Sequence, residues 1–193
     1  MAYLNLKVSI TGVAPLLLHN ARLANPLDPI TQKMKSLHSV RKKTDETRAD
    51  VARLEWEGSL YVNDKGRVCI PGENIESMII EAAKKDKLGK QAKAAIIVDG
   101  LFELRFPDAT KSIANLWHIE KYRDVRSVKV QQARIMRCRP IFREWSLDII
   151  VSYLPTLMNR DEVVKAIKTA GVQCGLGDYR PRFGRFESEV GDA

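Results

Sequence analysis

The sequence predicts an α+β protein in which two helices pack on one face of an antiparallel sheet. Residues 4–10 and 145–153 alternate apolar and polar side chains, which is typical of half-buried strands. Residues at about 73–85 and 160–170 repeat apolar side chains with helical spacing. Because strands separate the two helices, the element order matches a β-α-β-β-α-β plan with a partly helical insertion.

Breaks in the apolar pattern mark where the strands end. Gly12 and Pro15 end the first strand, and residues 63–66 (Asn-Asp-Lys-Gly) are a typical hairpin turn. Residues 94–106 are mainly apolar and predict another strand. In residues 121–143, β-branched side chains interleave with basic ones, which predicts extended structure in the middle of the sheet.

Both helices carry recognisable end signals. Pro71-Gly72 opens the first helix and Gly89 is predicted to end it. Asn159 and Glu162 have capping-box spacing at the start of the second helix, and Gly171 is its predicted C-terminal cap. We therefore expect a ferredoxin-like (RRM-like) fold. In such a fold the sheet face opposite the helices is free, and RNA-recognition proteins use that face as a binding platform.

One segment does not fit this plan. Residues 1–193 are expected to form a single domain, into which residues 21–58 are inserted as a basic arm or lobe. Thr44 is a candidate cap for a helix in this arm, with Val51 and Leu54 on a narrow apolar face. So basic and apolar-poor a segment has little reason to bury itself. We expect it to contact a neighbouring copy or a partner.

Composition narrows the class of function. The 193 residues carry a formal net charge of +8, which is typical of domains that meet nucleic acid. Three widely spaced cysteines and three histidines show no disulfide or metal-ligand spacing, so no cofactor is expected. No run is long and apolar enough to span a membrane, and the chain opens on a strand pattern rather than a leader. The expected location is the cytoplasm.

Two basic stretches are the candidate nucleic-acid site. Residues 121–143 contain eight Lys or Arg and one acidic residue, and residues 171–186 combine four glycines, three arginines and three aromatics. Arginine suits phosphate, glycine permits close backbone approach, and aromatic rings stack on bases. With so few acids nearby, we expect Arg134, Arg137 and Arg139 to be unpaired, and we expect the arginines of both stretches to line one path. The candidate residues are Arg134, Arg137, Arg139, Gly175, Gly177, Tyr179, Arg180, Arg182, Phe183 and Arg185.

Three motifs resemble the RAMP superfamily, the RNA-binding backbone subunits of CRISPR effector complexes. They are residues 14–19 (Ala-Pro-Leu-Leu-Leu-His), residues 69–75 (Cys-Ile-Pro-Gly-Glu-Asn-Ile), and the loop from Gly175 to the Gly-Arg-Phe at 184–186. The resemblance implies a ferredoxin-like fold and nucleic-acid binding, with self-association or CRISPR-type protein partners. Chains of this pattern also look like phage and prophage proteins.

The sequence departs from the family in two places. Asn20 stands where the family has glycine after the Pro-Leu-His turn. In the helix opening, where the family continues with Ser-Ser and then Lys-Gly, this chain has Glu73, Asn74, Glu76 and Ser77. Because carboxylates repel phosphate, we do not assign that opening to nucleic acid.

Several functions remain open. The first is sequence-tolerant binding of single-stranded RNA or DNA, as a homo-oligomer or as a subunit of a CRISPR-type ribonucleoprotein. The second is a RAMP-type endoribonuclease, in which the resemblance points to His19 as acid or base, or to Asp28 acting with a divalent ion. For His19 a structural role, and for Asp28 a turn role, are the competing interpretations. The third is a phage protein that mimics or inhibits a CRISPR subunit. We expect binding without catalysis.

Overall fold

The protein is a mixed α/β structure with antiparallel sheets. The computed structural model describes residues 2–130 and 132–193. The strands are β1 (Leu4–Gly12), β2 (Leu16–Leu17), β3 (Cys69–Pro71), β4 (Ile96–Ile97), β5 (Leu101–Glu103), β6 (Arg123–Val130), β7 (Ala133–Phe142), β8 (Ser146–Tyr153) and β9 (Phe186–Asp192). The α-helices are α1 (Pro29–Ser39), α2 (Asp45–Gly58), α3 (Gly72–Ala83), α4 (Gly89–Ala95), α5 (Ile113–Trp117) and α6 (Arg160–Thr169).

The largest sheet has four strands in the order β4-β8-β1-β9, and each neighbouring pair is antiparallel. Alternation along β1 buries Leu6, Val8 and Ile10, as the sequence predicts. These side chains form one contiguous core with the apolar faces of α3 and α6. The two predicted helices are therefore confirmed, and they share the core on the inner face of this sheet. The Asn159–Glu162 capping box is present at the start of α6.

The outer face of this sheet does not resemble a nucleic-acid platform. Its exposed side chains on β1, β8 and β9 include Lys7, Ser9, Thr11, Asp148, Glu187 and Glu189. The aromatic residues of these strands, Tyr153 and Phe186, are buried on the inner face. Among these exposed strand residues, carboxylates outnumber cations. The composition of the outer face therefore gives little support to the expected binding platform there.

The basic segment forms a separate sheet. Strands β6 and β7 are an antiparallel hairpin, and β7 pairs on its other side with β2, giving the order β2-β7-β6. The prediction of extended structure is confirmed, but its place in the middle of the main sheet is wrong. Since β2 covers only Ile141 and Phe142, helix α2 packs along the rest of that edge of β7.

The inserted segment is partly buried, contrary to the sequence-based expectation. Asp28 accepts hydrogen bonds from Ile30 and Thr31 and begins α1, which has no buried residue. Thr44 caps α2 as predicted. The C-terminal half of α2 buries Leu54 and fully buries Trp56, whose indole donates a hydrogen bond of 2.8 Å to the Tyr122 carbonyl. The C-terminal part of α2, residues 54–58, therefore belongs to the core of the protein, while its N-terminal half is exposed.

Three local predictions need correction. The turn at 63–66 forms, but the predicted hairpin around it is reduced to a single β-bridge, Val62↔Val68. The strand that follows, β3, pairs with β5 instead. Gly89 begins α4, while α3 ends at Ala83. Gly171 does not end α6, since a π-helical turn continues to Cys174. A side chain at Gly171 would meet the Phe186 carbonyl, so packing against β9 accounts for this glycine.

In the described part of the chain, no helix has the length and apolar character needed to cross a membrane.

Candidate functional site

The glycine-rich loop, residues 175–185, lies against the chain that follows β1. Asp178 N–H donates to the Leu17 carbonyl at 2.7 Å, and Gly184 N–H donates to the Pro15 carbonyl at 2.8 Å. Gly177 has φ of +79°, and any side chain there would collide with the Leu17 carbonyl. The close approach predicted for these glycines is therefore made to the protein's own backbone. This packing holds the loop's arginines and aromatics in place.

Two aromatic rings of the loop contact an arginine of the hairpin. The Arg126 guanidinium lies 4.7 Å from the Phe183 ring centre and 5.4 Å from the Tyr179 ring centre, which is cation–π distance. Asp124 forms an ion pair with Arg126 on the same strand. Tyr179 remains 52% exposed. Arg126 lies within the basic stretch noted from the sequence, but only the fold brings it to the loop.

Three of the candidate arginines have carboxylate partners. Arg137 pairs with Glu55 at 2.6 Å, Arg139 with Asp178 at 2.8 Å, and Arg180 with Glu81 at 3.1 Å. The expectation of unpaired arginines is wrong for Arg137 and Arg139. The acids lie in α2, the glycine-rich loop and α3. Each is far in sequence from the arginine with which it pairs, so the composition around the arginines does not reveal it.

The remaining candidate arginines are spread out. Arg185 donates to the Pro181 carbonyl at 2.9 Å. Arg134 and Arg182 are exposed, and neither has a side-chain partner within residues 2–130 and 132–193. Alternation along β7 places Arg134 on the strand face opposite Arg137 and Arg139. The single path predicted for all six arginines is therefore not present on one face.

A polar pocket of about 180 Å³ lies where β2, the start of α3 and the glycine-rich loop meet. Its lining residues are Leu18, His19, Tyr61, Asn74, Ser77, Gly177 and Arg180. None of these is a carboxylate. Glu76 lies away from the pocket and accepts a hydrogen bond from Val98 N–H at 3.1 Å. At the opening of α3, Asn74 and Ser77 therefore line the pocket, whereas the carboxylates of Glu73 and Glu76 do not.

His19 lies at the rim of this pocket. Its Nδ1 is 3.5 Å from the Ser59 hydroxyl, a long contact. Partial burial and the nearby Arg139 guanidinium lower the pKa of His19 below its ordinary value. The imidazole is therefore neutral at pH 7, and it can accept or donate a hydrogen bond but adds no positive charge.

The alternative catalytic carboxylate, Asp28, is already committed to local structure. Its side chain caps α1 and pairs with Arg22 at 2.8 Å. Across the described ranges, no group of three or more His, Cys, Asp or Glu side chains is arranged to hold a metal ion.

The pocket residues that sequence reasoning missed are Tyr61, Asn74 and Ser77. Helical spacing alone places Asn74 and Ser77 on one side of α3.

Comparison with known proteins assigns no family to the chain. No protein-family model matches it, and no curated protein matches its sequence. Function is therefore inferred from the residues and geometry described above.

Proposed function

We propose that this protein binds single-stranded RNA or DNA through the sugar–phosphate backbone, at the polar pocket beside the glycine-rich loop. The observation that carries the proposal is the lining of the pocket. It combines Arg180, the Asn74 amide, the Ser77 hydroxyl and the His19 ring, with no carboxylate. Arginine and neutral hydrogen-bond donors are the groups that contact phosphate and sugar in nucleic-acid complexes. A volume of about 180 Å³ suits one phosphate with part of its ribose better than a larger ligand.

The aromatic residues of the glycine-rich loop support single strands over duplex. Tyr179 is half exposed and is held in position by Arg126 and Phe183. An exposed ring stacks on an unpaired base, whereas paired bases in a duplex are already stacked. Arg182 is exposed and unpaired in the described structure, and it adds a phosphate contact that carries no sequence information.

We also propose that the fold is ferredoxin-like and that the chain is related to the RAMP superfamily. In the main sheet β1 lies between β8 and β9, with α3 and α6 on the inner side, which is compatible with that fold. The three resembling motifs all contribute to the same pocket: Leu18 and His19 come from the first, Asn74 from the second, and Gly177 and Arg180 from the third. Self-association, or membership of a CRISPR-type complex, is part of this proposal. All three cysteines are buried and free, which fits the reducing cytoplasm.

Fluorescence anisotropy of labelled single-stranded oligonucleotides over a salt series tests the proposal. Tyr179→Ala should weaken binding by about 1–3 kcal/mol with an unchanged salt slope, because stacking releases no counterion. Tyr3→Ala is the matched control, since Tyr3 is 43% exposed and distant in sequence from the loop. Arg182→Gln should make the salt slope shallower by about 0.7. Equal affinities for Tyr179→Ala, Tyr3→Ala and wild type would overturn the proposed site.

A further inference from the structure

A cluster of lysines surrounds a second concavity, next to the pocket. Residues 84–93 contain five lysines and one acid, Asp86. Asp86 is engaged by Lys165 at 2.7 Å and so does not neutralise the cluster. The concavity has a volume of about 750 Å³ and is lined by Ser77, Ile80, Lys84, Lys87, Gly89, Lys90, Gln91 and Lys93. Within the described residues, none of its four lysines has a hydrogen-bond or ion-pair partner.

Local stability does not explain this clustering. Lys84 follows the C-terminus of α3, where a positive charge is favourable. Lys90, however, lies in the first turn of α4, where the helix dipole disfavours a cation, and no acid balances it there. Four exposed lysines around one concavity also repel each other. An anionic partner would offset both effects.

The position of the concavity identifies that partner. Ser77 lines both the polar pocket and the lysine concavity, so the two adjoin at this residue on the exposed side of α3. We propose that the lysine concavity is a second binding surface for a phosphate backbone, which takes the nucleic-acid strand onward from the pocket. This inference rests on the function proposed above. Lysine is a flexible point charge, and no aromatic residue lines the concavity, so this surface holds phosphates and reads no bases.

The test compares two triple variants on labelled oligothymidylates of about 6 and about 20 nucleotides, lengths that bracket a typical site. Lys84→Gln/Lys90→Gln/Lys93→Gln removes three charges from the concavity and retains Lys87, which has a left-handed backbone. Lys7→Gln/Lys65→Gln/Lys168→Gln is the control, because these lysines are exposed and lie elsewhere. Circular dichroism checks that both variants are folded.

The concavity variant should bind the longer oligonucleotide about tenfold to a hundredfold more weakly near 0.1 M salt, with a salt slope shallower by about 2. The loss of affinity relative to the control should be smaller for the short oligonucleotide, because fewer of its phosphates reach the lysines beyond the pocket. If the two variants behave alike at both lengths while Tyr179→Ala weakens binding, the lysine surface is refuted and the proposed function stands.

Inorganic polyphosphate is a second probe, because it has phosphates but no bases. Loss of polyphosphate binding in the concavity variant alone supports the phosphate surface. If wild type binds polyphosphate in this lysine-dependent way but binds neither oligonucleotide, the proposed function fails and the phosphate surface remains. If neither variant differs from wild type with polyphosphate, the lysine surface fails.

Discussion

Glu55 shows how one residue joins two elements of this protein. Its side chain is only 4% exposed, yet both carboxylate oxygens are satisfied. One accepts from Cys138 N–H at 2.8 Å and the other from Arg137 at 2.6 Å. The carboxylate thereby takes the place of a neighbouring strand along the edge of β7 and fixes α2 there. Arg137 has a structural role, whatever it contributes to binding.

The first prediction follows from this geometry. Glu55→Ala should lower the free energy of unfolding by about 2–4 kcal/mol, because it leaves a buried N–H and a partly buried guanidinium unsatisfied. Glu57→Ala is the control: Glu57 pairs with exposed Arg53, and its loss should cost less than about 1 kcal/mol. Urea denaturation measures both. Equal losses in the two variants would contradict the role given to Glu55.

The second prediction concerns the pH dependence contributed by His19. The pKa of His19 is lowered in the folded state by partial burial and by Arg139, while Asp178 and Glu55 oppose the effect and Arg137 adds to it. The unfolded chain therefore binds a proton more readily, so stability is fully present above about pH 6.5 and falls as the pH drops below it. His19→Gln should flatten this fall below about pH 6.5. Urea midpoints at several pH values test this, and curves of identical shape would exclude the effect.

The glycine-rich loop depends on its backbone contacts with Pro15 and with Leu17 of β2. Gly177→Ala should destabilise the protein by more than about 1 kcal/mol, since it combines a left-handed backbone with a collision at the Leu17 carbonyl. Gly66→Ala is the control, because Gly66 also has a positive φ, of +72°, but has open space around it. This variant therefore measures the cost of the left-handed backbone without a collision. Thermal unfolding followed by circular dichroism compares the two. A loss no greater for Gly177→Ala would show that the loop packing is dispensable.

Helix α1 is the part of the insertion still free for assembly. It buries no residue, in contrast to α2, so deletion of residues 21–58 would remove core side chains as well. Lys33→Glu/Lys35→Glu on α1 should therefore leave a folded protein that loads fewer copies on a long oligonucleotide. Affinity for a short oligonucleotide should be unchanged. Light scattering after size exclusion measures the stoichiometry, and an unchanged number of copies would assign α1 another role.

The side chains that line the pocket offer hydrogen-bond donors to a ligand, and they include no pair of groups placed for acid–base catalysis. His19 has no carboxylate beside it in the pocket, and Asp28 is engaged in capping and an ion pair. We predict no intrinsic cleavage of labelled single-stranded RNA or DNA, with or without divalent ions, as followed by gel electrophoresis. Cleavage that His19→Ala or Asp28→Asn abolishes would show that one of these residues is catalytic. Asparagine retains the capping oxygen, so the second variant separates chemistry from folding.

Four elements could be predicted from the sequence because their patterns and end signals lie within the segments themselves. Alternation predicted β1 and β8, and helical spacing with capping residues predicted α3 and α6. These patterns reflect which side of each segment is buried, and they need no knowledge of the neighbours. The glycine-rich loop was likewise recognisable from composition, and it does border the candidate pocket.

Only the tertiary structure decided which residues meet. The partners of Arg137, Arg139 and Arg180 are 82, 39 and 99 positions away in the chain, so local charge counts misjudged them. The same holds for Trp56, which is buried and donates a hydrogen bond to the distant Tyr122 carbonyl. These contacts place part of the inserted segment, residues 21–58, in the core. Asn74 and Ser77 became pocket residues because packing of the loop selects one side of α3. Long-range pairing depends on how elements pack, and that information is spread over the whole chain rather than written in any one segment.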